Sequence, residues 1–408
     1  MPKEKVVLAY SGGLDTSVLV HWITQQGYDV VALCLDLGQH VEDLEEIRRK
    51  GEKAGAVKVI LQNRREEFVR DYVLPSIQFN ALYEGTYLLG TSLARPLIAK
   101  ALVETAQAEN AAYIGHGATG KGNDQVRFEL GAWCLNPDLK VIAPWKMPEF
   151  FNKYPGRREL IAYAEQHGIP VKATAAKPWS SDENLMHISF EAGMLEDPWQ
   201  APREDMFELT KDPALAPDEP QEIFIEWKAG VPVAVNDRVM PPHELLDHLN
   251  RLAGNHGVGR IDMVESRFVG MKSRGVYETP GGTVLHIAHR AMESITLDRD
   301  VINLKDTLMP RFARLAYNGY WFTPEMRVLL AAVRETQGPV SGQVRLKLFK
   351  GNCQVTGRKS PYSLYDANIA SMEDDAGAYN PQDAIGFIRL NALPLKAAAR
   401  QRKKMSTD

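Results

Sequence analysis

The sequence predicts an α/β chain: a parallel-sheet nucleotide-binding domain first, a mixed α+β domain after it, and a helical tail. Three observations carry that prediction. Up to about residue 172, apolar strand-like runs alternate with helical runs and no hairpin turn intervenes, the pattern of a parallel sheet covered on both faces. Beyond that point prolines cluster and hairpin signals appear. The last stretch holds a single apolar stripe behind a proline. The boundaries read in this way are 1–172, 173–376 and 377–408, and 408 residues suffice for two or three domains.

Taken in order, Val6-Val7-Leu8-Ala9-Tyr10 reads as a buried strand ended by Ser11-Gly12-Gly13, and Val18 to Ile23 is apolar at helical spacing until Gly27. A second strand is expected over 28–36, stopped by Gly38-Gln39, then a charged helix over 42–54 with Leu44 and Ile47 facing inward. A strand over 57–61, helices over 66–72 and 94–109, and a strand over 111–114 broken by Gly115 complete the first domain. Lys177-Pro178-Trp179 and the segment 197–202 read as irregular connections, and Pro213, Pro217 and Pro220 follow. A hairpin is expected over 222–235 around Ala229-Gly230, helices over 243–252, 282–297, 300–317 and 324–336, and a hairpin over 343–358 around Gly351-Asn352. In the tail, Asn380-Pro381-Gln382-Asp383 reads as a cap with proline at the first helical position. Ala384, Ile385, Ile388 and Leu393 form the stripe, and Pro394 is expected to kink or end the helix. Another subunit and the tail's own domain are equally good partners for that stripe.

The hydrophobic fraction of 44% and charged fraction of 25% are those of a soluble globular chain, and a net charge of −4 gives no electrostatic argument for nucleic acid. Cys34, Cys134 and Cys353 are too far apart for a disulfide framework or a C-x-x-C site, and Cys34 and Cys134 are expected to be buried. His286/His289 and His243/His248 lack acids at metal-ligand spacing, and His116 and His187 read as structural. The N-terminus runs straight into the first strand with no targeting segment, and no apolar run reaches membrane-spanning length, so a cytoplasmic location is expected.

The chemistry is carried by loops. Ala9-Tyr10-Ser11-Gly12-Gly13-Leu14-Asp15-Thr16-Ser17 is strand, glycine turn and helix start, which gathers free N–H groups and the positive end of a helix dipole around an anion. The hydroxyls of Ser11, Thr16 and Ser17 can add donors. A carboxylate beside phosphates needs a cation between them, so Asp15 is read as a Mg2+ partner, directly or through water. The string resembles the PP-loop of the N-type ATP pyrophosphatases, which hold the pyrophosphate leaving from ATP. A second loop, 115–127, nearly matches Walker A but has Gly122 where Ser or Thr is required, so that reading is rejected. Its four glycines and the polar run Thr119, Lys121, Asn123, Asp124, Gln125 and Arg127 suit a backbone wrapped around small ligands.

These two strings, with Tyr87-Leu88-Leu89-Gly90-Thr91-Ser92-Leu93-Ala94-Arg95-Pro96, Asp182-Glu183-Asn184-Leu185-Met186-His187-Ile188-Ser189 and Gly270-Met271-Lys272-Ser273-Arg274-Gly275-Val276-Tyr277-Glu278-Thr279-Pro280, resemble the argininosuccinate synthase family over nearly the whole chain. The resemblance implies that citrulline attacks ATP to give a citrullyl-adenylate and pyrophosphate, after which aspartate displaces AMP. It implies ATP contacts at residues 9–17 and at the main chain of Leu35 and Gly117, although relatives carry a smaller residue at the first of these. Thr119, Asn123 and Asp124 would bind L-aspartate. Arg127 would take the L-citrulline carboxylate, with Tyr87, Ser92, Asn123, Ser180, Ser189, Glu265 and Tyr277 completing that site. Asp15, Asp124 and Arg127 would be the catalytic set, and the enzyme a homotetramer with its C-terminal helix reaching across subunits. From local sequence alone, Ser180 equally suits a helix cap for 182–184, and Glu265 the solvent side of a strand paired with Arg267. A tRNA thiolase would want paired cysteines and a basic face, NAD synthetase does not match the strings after residue 80, and a non-catalytic sensor would not need the polar run from Thr119 to Arg127.

Overall fold

The computed structural model describes residues 3–39, 43–170, 178–370 and 379–406. The expected boundaries at 172/173 and 376/377, the expected helix start at Glu42, and Lys177 lie outside the described residues.

Five parallel strands form the first sheet in the order β3-β2-β1-β4-β5, with β1 Lys5–Ala9, β2 Asp29–Asp36, β3 Lys58–Asn63, β4 Tyr113–Gly115 and β5 Lys140–Ile142. Alternation along β1 and β2 accounts for the two cores. Val7, Val31, Leu33 and Leu35 pack on the side of the helix Gly90–Ala108, whereas Val6, Leu8, Val30, Ala32 and Cys34 pack with the helices Leu14–Gln25 and Arg157–Gln166. The order reverses between β1 and β4, so the crevice at their carboxyl ends is where a ligand belongs. Both chemical loops open there, one after β1 and one after β4.

The remaining strands are antiparallel. β6 Ser180–Asn184, β7 His187–Glu191, β11 Arg260–Ser266 and β12 Lys272–Glu278 form one sheet in the order β11-β12-β7-β6. β8 Gln221–Lys228, β9 Val231–Val235, β10 Arg238–Val239, β13 Gly342–Phe349 and β14 Asn352–Lys359 form another, ordered β10-β9-β8-β13-β14. Helices Pro242–Asn255, Pro280–Thr296, Arg299–Asn318 and Pro324–Thr336 lie where they are expected.

Several expectations need correction. Ser180 starts a strand, so it caps no helix. Leu44 is 39% exposed and only Ile47 of the expected pair turns inward. Cys134 is exposed, because the end of the helix Asp124–Leu135 leaves Trp133 and Leu135 exposed as well. None of these departures bears on the expected domains; by compactness the structure divides into two units, 1–362 and 363–408. In the second, the helix Asp383–Met405 starts after Pro381 and runs through Pro394 without ending there.

Candidate active site

β1 stops at Ala9 while β2 continues to Asp36, so the sheet edge is stepped and the chain turns out of it. Tyr10 N–H donates to the Leu33 carbonyl at 2.8 Å before the turn. Gly12 then takes a φ of +77°, and a Cβ there would stand 3.0 Å from Ile47, so both backbone and space call for glycine. The helix Leu14–Gln25 begins after Gly13 with no side-chain cap, leaving its first N–H groups for a ligand. The Ser11 and Thr16 hydroxyls stand 3.1 Å apart at this opening. Ser17 is different: it is wholly buried and its hydroxyl lies 3.2 Å from Tyr10 Oη, so it serves the core rather than the cleft.

A cleft of about 700 Å3 opens over this turn. Ala9, Tyr10, Ser11, Gly12, Gly13, Asp15 and Thr16 form its floor, Leu35 and Gly117 its sides. Leu14, like Ser17, is not among the lining residues. Asp15 opens onto the cleft, yet surrounding protein displaces water and raises its carboxyl pKa, with the charge of Arg157 opposing. Among the described residues it forms no salt bridge, and no group of three or more His, Cys, Asp or Glu side chains is placed to hold a metal. One exposed carboxylate beside the glycine turn is a donor set that fits Mg2+, which usually takes one or two protein carboxylates together with phosphate oxygens.

A second cavity of about 240 Å3 adjoins the first. The two share Arg95, Gly117, Ala118, Asp124 and Asp182 as a common wall. The structure brings Tyr87, Thr119, Asn123, Asp124, Arg127, Ser189, Glu265 and Tyr277 together around it. Two expected residues stay out: Ser180 is exposed, and Ser92 is buried in the helix Gly90–Ala108 with its hydroxyl unpaired among the described residues.

Charge organises this cavity. Asp124 accepts from Arg95 Nε at 2.9 Å and from Arg127 Nη1 at 2.9 Å. Burial alone would raise its pKa, but the two guanidinium groups overcome that and hold it down at about 2. Arg95 also donates to Asp182 at 2.8 Å, and Arg127 Nε donates to the Tyr317 carbonyl at 2.8 Å while its guanidinium lies over the Tyr317 ring at 4.8 Å. Glu265 is buried, accepting from Tyr277 at 2.8 Å and Tyr317 at 2.6 Å, so it does not sit on the solvent side paired with Arg267. Tyr87 stacks on Tyr277 with ring centroids 4.5 Å apart and accepts from Thr91 N–H at 3.0 Å; burial raises its hydroxyl pKa well above the ordinary value. His187 is buried against Thr91, and desolvation lowers its pKa to about 3, keeping the ring neutral. His116 is buried beside Glu129.

Sequence reasoning missed Arg95, Thr91, Asp182, Glu191, Arg267 and Tyr317 as lining residues. Arg95, Thr91 and Asp182 lie inside strings that the family resemblance rests on, which was a usable signal. Tyr317 arrives from the helix Arg299–Asn318 with no local mark on it.

Comparison with known proteins places both halves. Residues 5–170 match the model "Arginosuccinate synthase N-terminal HUP domain", and residues 179–398 match "Arginosuccinate synthase C-terminal domain". The chain is 55% identical over 401 residues to the argininosuccinate synthase of Desulfatibacillum aliphaticivorans, covering 98% of this chain and 99% of that one. It is 55% identical over 397 residues to that of Syntrophus aciditrophicus, covering 97% and 98%. With the Methylobacillus flagellatus enzyme it shares 56% over 407 residues, covering 98% and 99%. Among the described residues no helix is long and apolar enough to cross a membrane.

Proposed function

The chain belongs to the argininosuccinate synthase family, and from that premise we propose how its residues divide the ATP-dependent joining of L-citrulline and L-aspartate. ATP lies in the larger cleft, its phosphates over residues 9–17 and its base beside the main chain at Leu35 and Gly117. The observation that carries this reading is the shared wall: a nucleotide in one cavity ends where an amino acid in the other begins. The uncapped N–H groups of the helix Leu14–Gln25 and the Ser11 and Thr16 hydroxyls then receive the departing pyrophosphate.

Citrulline occupies the smaller cavity, its carboxylate on Arg127, its body between Tyr87, Ser189, Glu265 and Tyr277. Arg127 has donors to spare beyond those given to Asp124 and Tyr317. Ser92 and Ser180 join that site only if a ligand draws them in. Aspartate is held by Thr119, Asn123 and Asp124, the last suiting its ammonium group. The ureido oxygen is a weak nucleophile, so the residues earn their rate by holding it in line with the α-phosphorus. Asp15 would hold Mg2+, which when bound neutralises charge on the phosphate oxygens.

On this reading 1–172 is the nucleotide domain, 173–376 the synthetase domain and 377–408 the tail of a cytoplasmic homotetramer with no nucleic-acid partner. Pyrophosphate release that requires citrulline, with AMP accumulation that additionally requires aspartate, tests it. ADP and orthophosphate as products would overturn it.

A further inference from the structure

The smaller cavity holds a cation that the division of labour above leaves unused. Citrulline brings one carboxylate and aspartate two, and three guanidinium groups line the cavity: Arg95, Arg127 and Arg267. Arg127 is assigned to citrulline. Arg95 is committed to Asp124 at 2.9 Å and Asp182 at 2.8 Å, with its side chain only 13% exposed. The aspartate residues Thr119 and Asn123 are neutral, and Asp124 is itself an anion. A dicarboxylate would therefore enter a cavity already lined by four carboxylates with no cation of its own.

Arg267 stands where that cation is needed. Two residues along from Glu265 and just past the end of β11, it lines the same cavity. Its Nη1 reaches the Lys121 carbonyl at 3.5 Å, and two residues on, the Val269 N–H points to Asn123 Oδ1 at 3.4 Å. The guanidinium thus lies over the glycine-rich loop that carries Thr119 and Asn123. Its ion-pair partner is Glu191, on β7 across the cavity mouth. That pair is unequal: the Arg267 side chain is 17% exposed and that of Glu191 51%. Desolvation raises the Glu191 carboxyl, Arg267 opposes this, and Asp124, Glu265 and Asp182 push it further up. Glu191 is half-exposed, so water can solvate its carboxylate when another anion takes the arginine.

We propose that Arg267 binds the side-chain carboxylate of aspartate, which displaces Glu191 from the guanidinium when it enters. A planar fork receiving a carboxylate gives both charge and orientation, so the residue also selects a dicarboxylic amino donor over a neutral one. The assignment rests on the reading of the two cavities given under the proposed function.

The test separates the two half-reactions. Citrulline-dependent exchange of pyrophosphate into ATP reports adenylate formation without aspartate, and overall turnover reports its capture. Arg267→Gln is expected to raise the KM for aspartate at least about tenfold, with citrulline-dependent exchange and the KM for citrulline altered less than about twofold. Arg267→Lys should give an intermediate KM for aspartate. Glu191→Gln, which removes the competing carboxylate, should lower it. An aspartate KM unchanged in Arg267→Gln, or raised in step with that for citrulline, overturns the assignment; so does a raised aspartate KM in Glu191→Gln, which decides the matter if the Gln variant at 267 loses exchange through misfolding. Wild-type enzyme without citrulline-dependent exchange would instead overturn the parent reading, and this one with it.

Discussion

Replacing Arg127 separates substrate recognition from architecture, because the structure shows what else the side chain does. Its Nε donates to the Tyr317 carbonyl at 2.8 Å, its Nη1 to Asp124 at 2.9 Å, and its plane lies over the Tyr317 ring. Arg127→Leu removes the charged fork proposed for the citrulline carboxylate, a loss of about 1.5–3 kcal/mol, or roughly ten- to 150-fold in affinity. It also strands a buried carbonyl, at about 1–3 kcal/mol, and takes from Asp124 one of its two cations. The leucine variant should therefore melt lower than wild type as well as bind citrulline poorly. Arg127→Lys keeps the charge and loses the bidentate geometry, so it should raise the KM for citrulline about tenfold with a smaller loss of stability. Citrulline-dependent pyrophosphate exchange, titrated once against citrulline and once against ATP, reads the difference, with a thermal melt as control. If the KM for ATP rises as much as that for citrulline, or the lysine variant binds citrulline normally, Arg127 is not the carboxylate anchor.

Three further outcomes follow from the geometry. Asp15→Asn should lower Mg2+-dependent turnover on the order of a hundredfold while shifting stability by less than about 0.5 kcal/mol, because the side chain makes no salt bridge among the described residues; a Mg2+ titration and a melt check it, and wild-type turnover refutes it. Asp124→Asn should cost about 2 kcal/mol at neutral pH, from a carboxyl held at about 2 against an ordinary 3.8. Since that pKa is depressed in the fold, the contribution is complete above the ordinary value and lost as pH falls through the folded one: the gap between variant and wild type stays flat from pH 7 to 5 and narrows only below about pH 4. A gap that closes between pH 7 and 5 in denaturant titrations would show that the two arginines do not hold the carboxyl down. Finally, deleting residues from 380 onward should lower the mass in solution below that of a tetramer, since Phe387, Leu390 and Leu393 are exposed along the tail helix; light scattering that shows an unchanged assembly would remove the tail from the interface.

What the sequence could and could not show follows from the range over which each feature is decided. The parallel sheet was legible because a strand buried on both faces must be apolar throughout, and β1 and β2 are. The glycine turn after β1 was legible because its glycine, its uncapped helix start and its hydroxyls are neighbours in the chain. β5 was missed: like β4 it is three residues long, but it lacks the apolar lead-in that Ala111 and Ala112 give β4. Cys134 and Leu44 were misplaced because apolar neighbours say nothing about which side of a helix end meets water. The second cavity is the harder case. Glu265 sat on a strand in either reading, but the face it shows was settled by Tyr277 and by Tyr317, 52 residues further along the chain. Arg95 finds its two acids 29 and 87 residues away, so nothing local marks it as the hinge between the cavities. A motif announces the groups that touch a ligand through their own backbone, whereas groups that act through one another's charge become visible only when the fold has put them side by side. That is why the glycine turn on the floor of the first cleft could be read from the chain, and why the pairing of Arg95 with its two acids and of Glu265 with its two tyrosines could not.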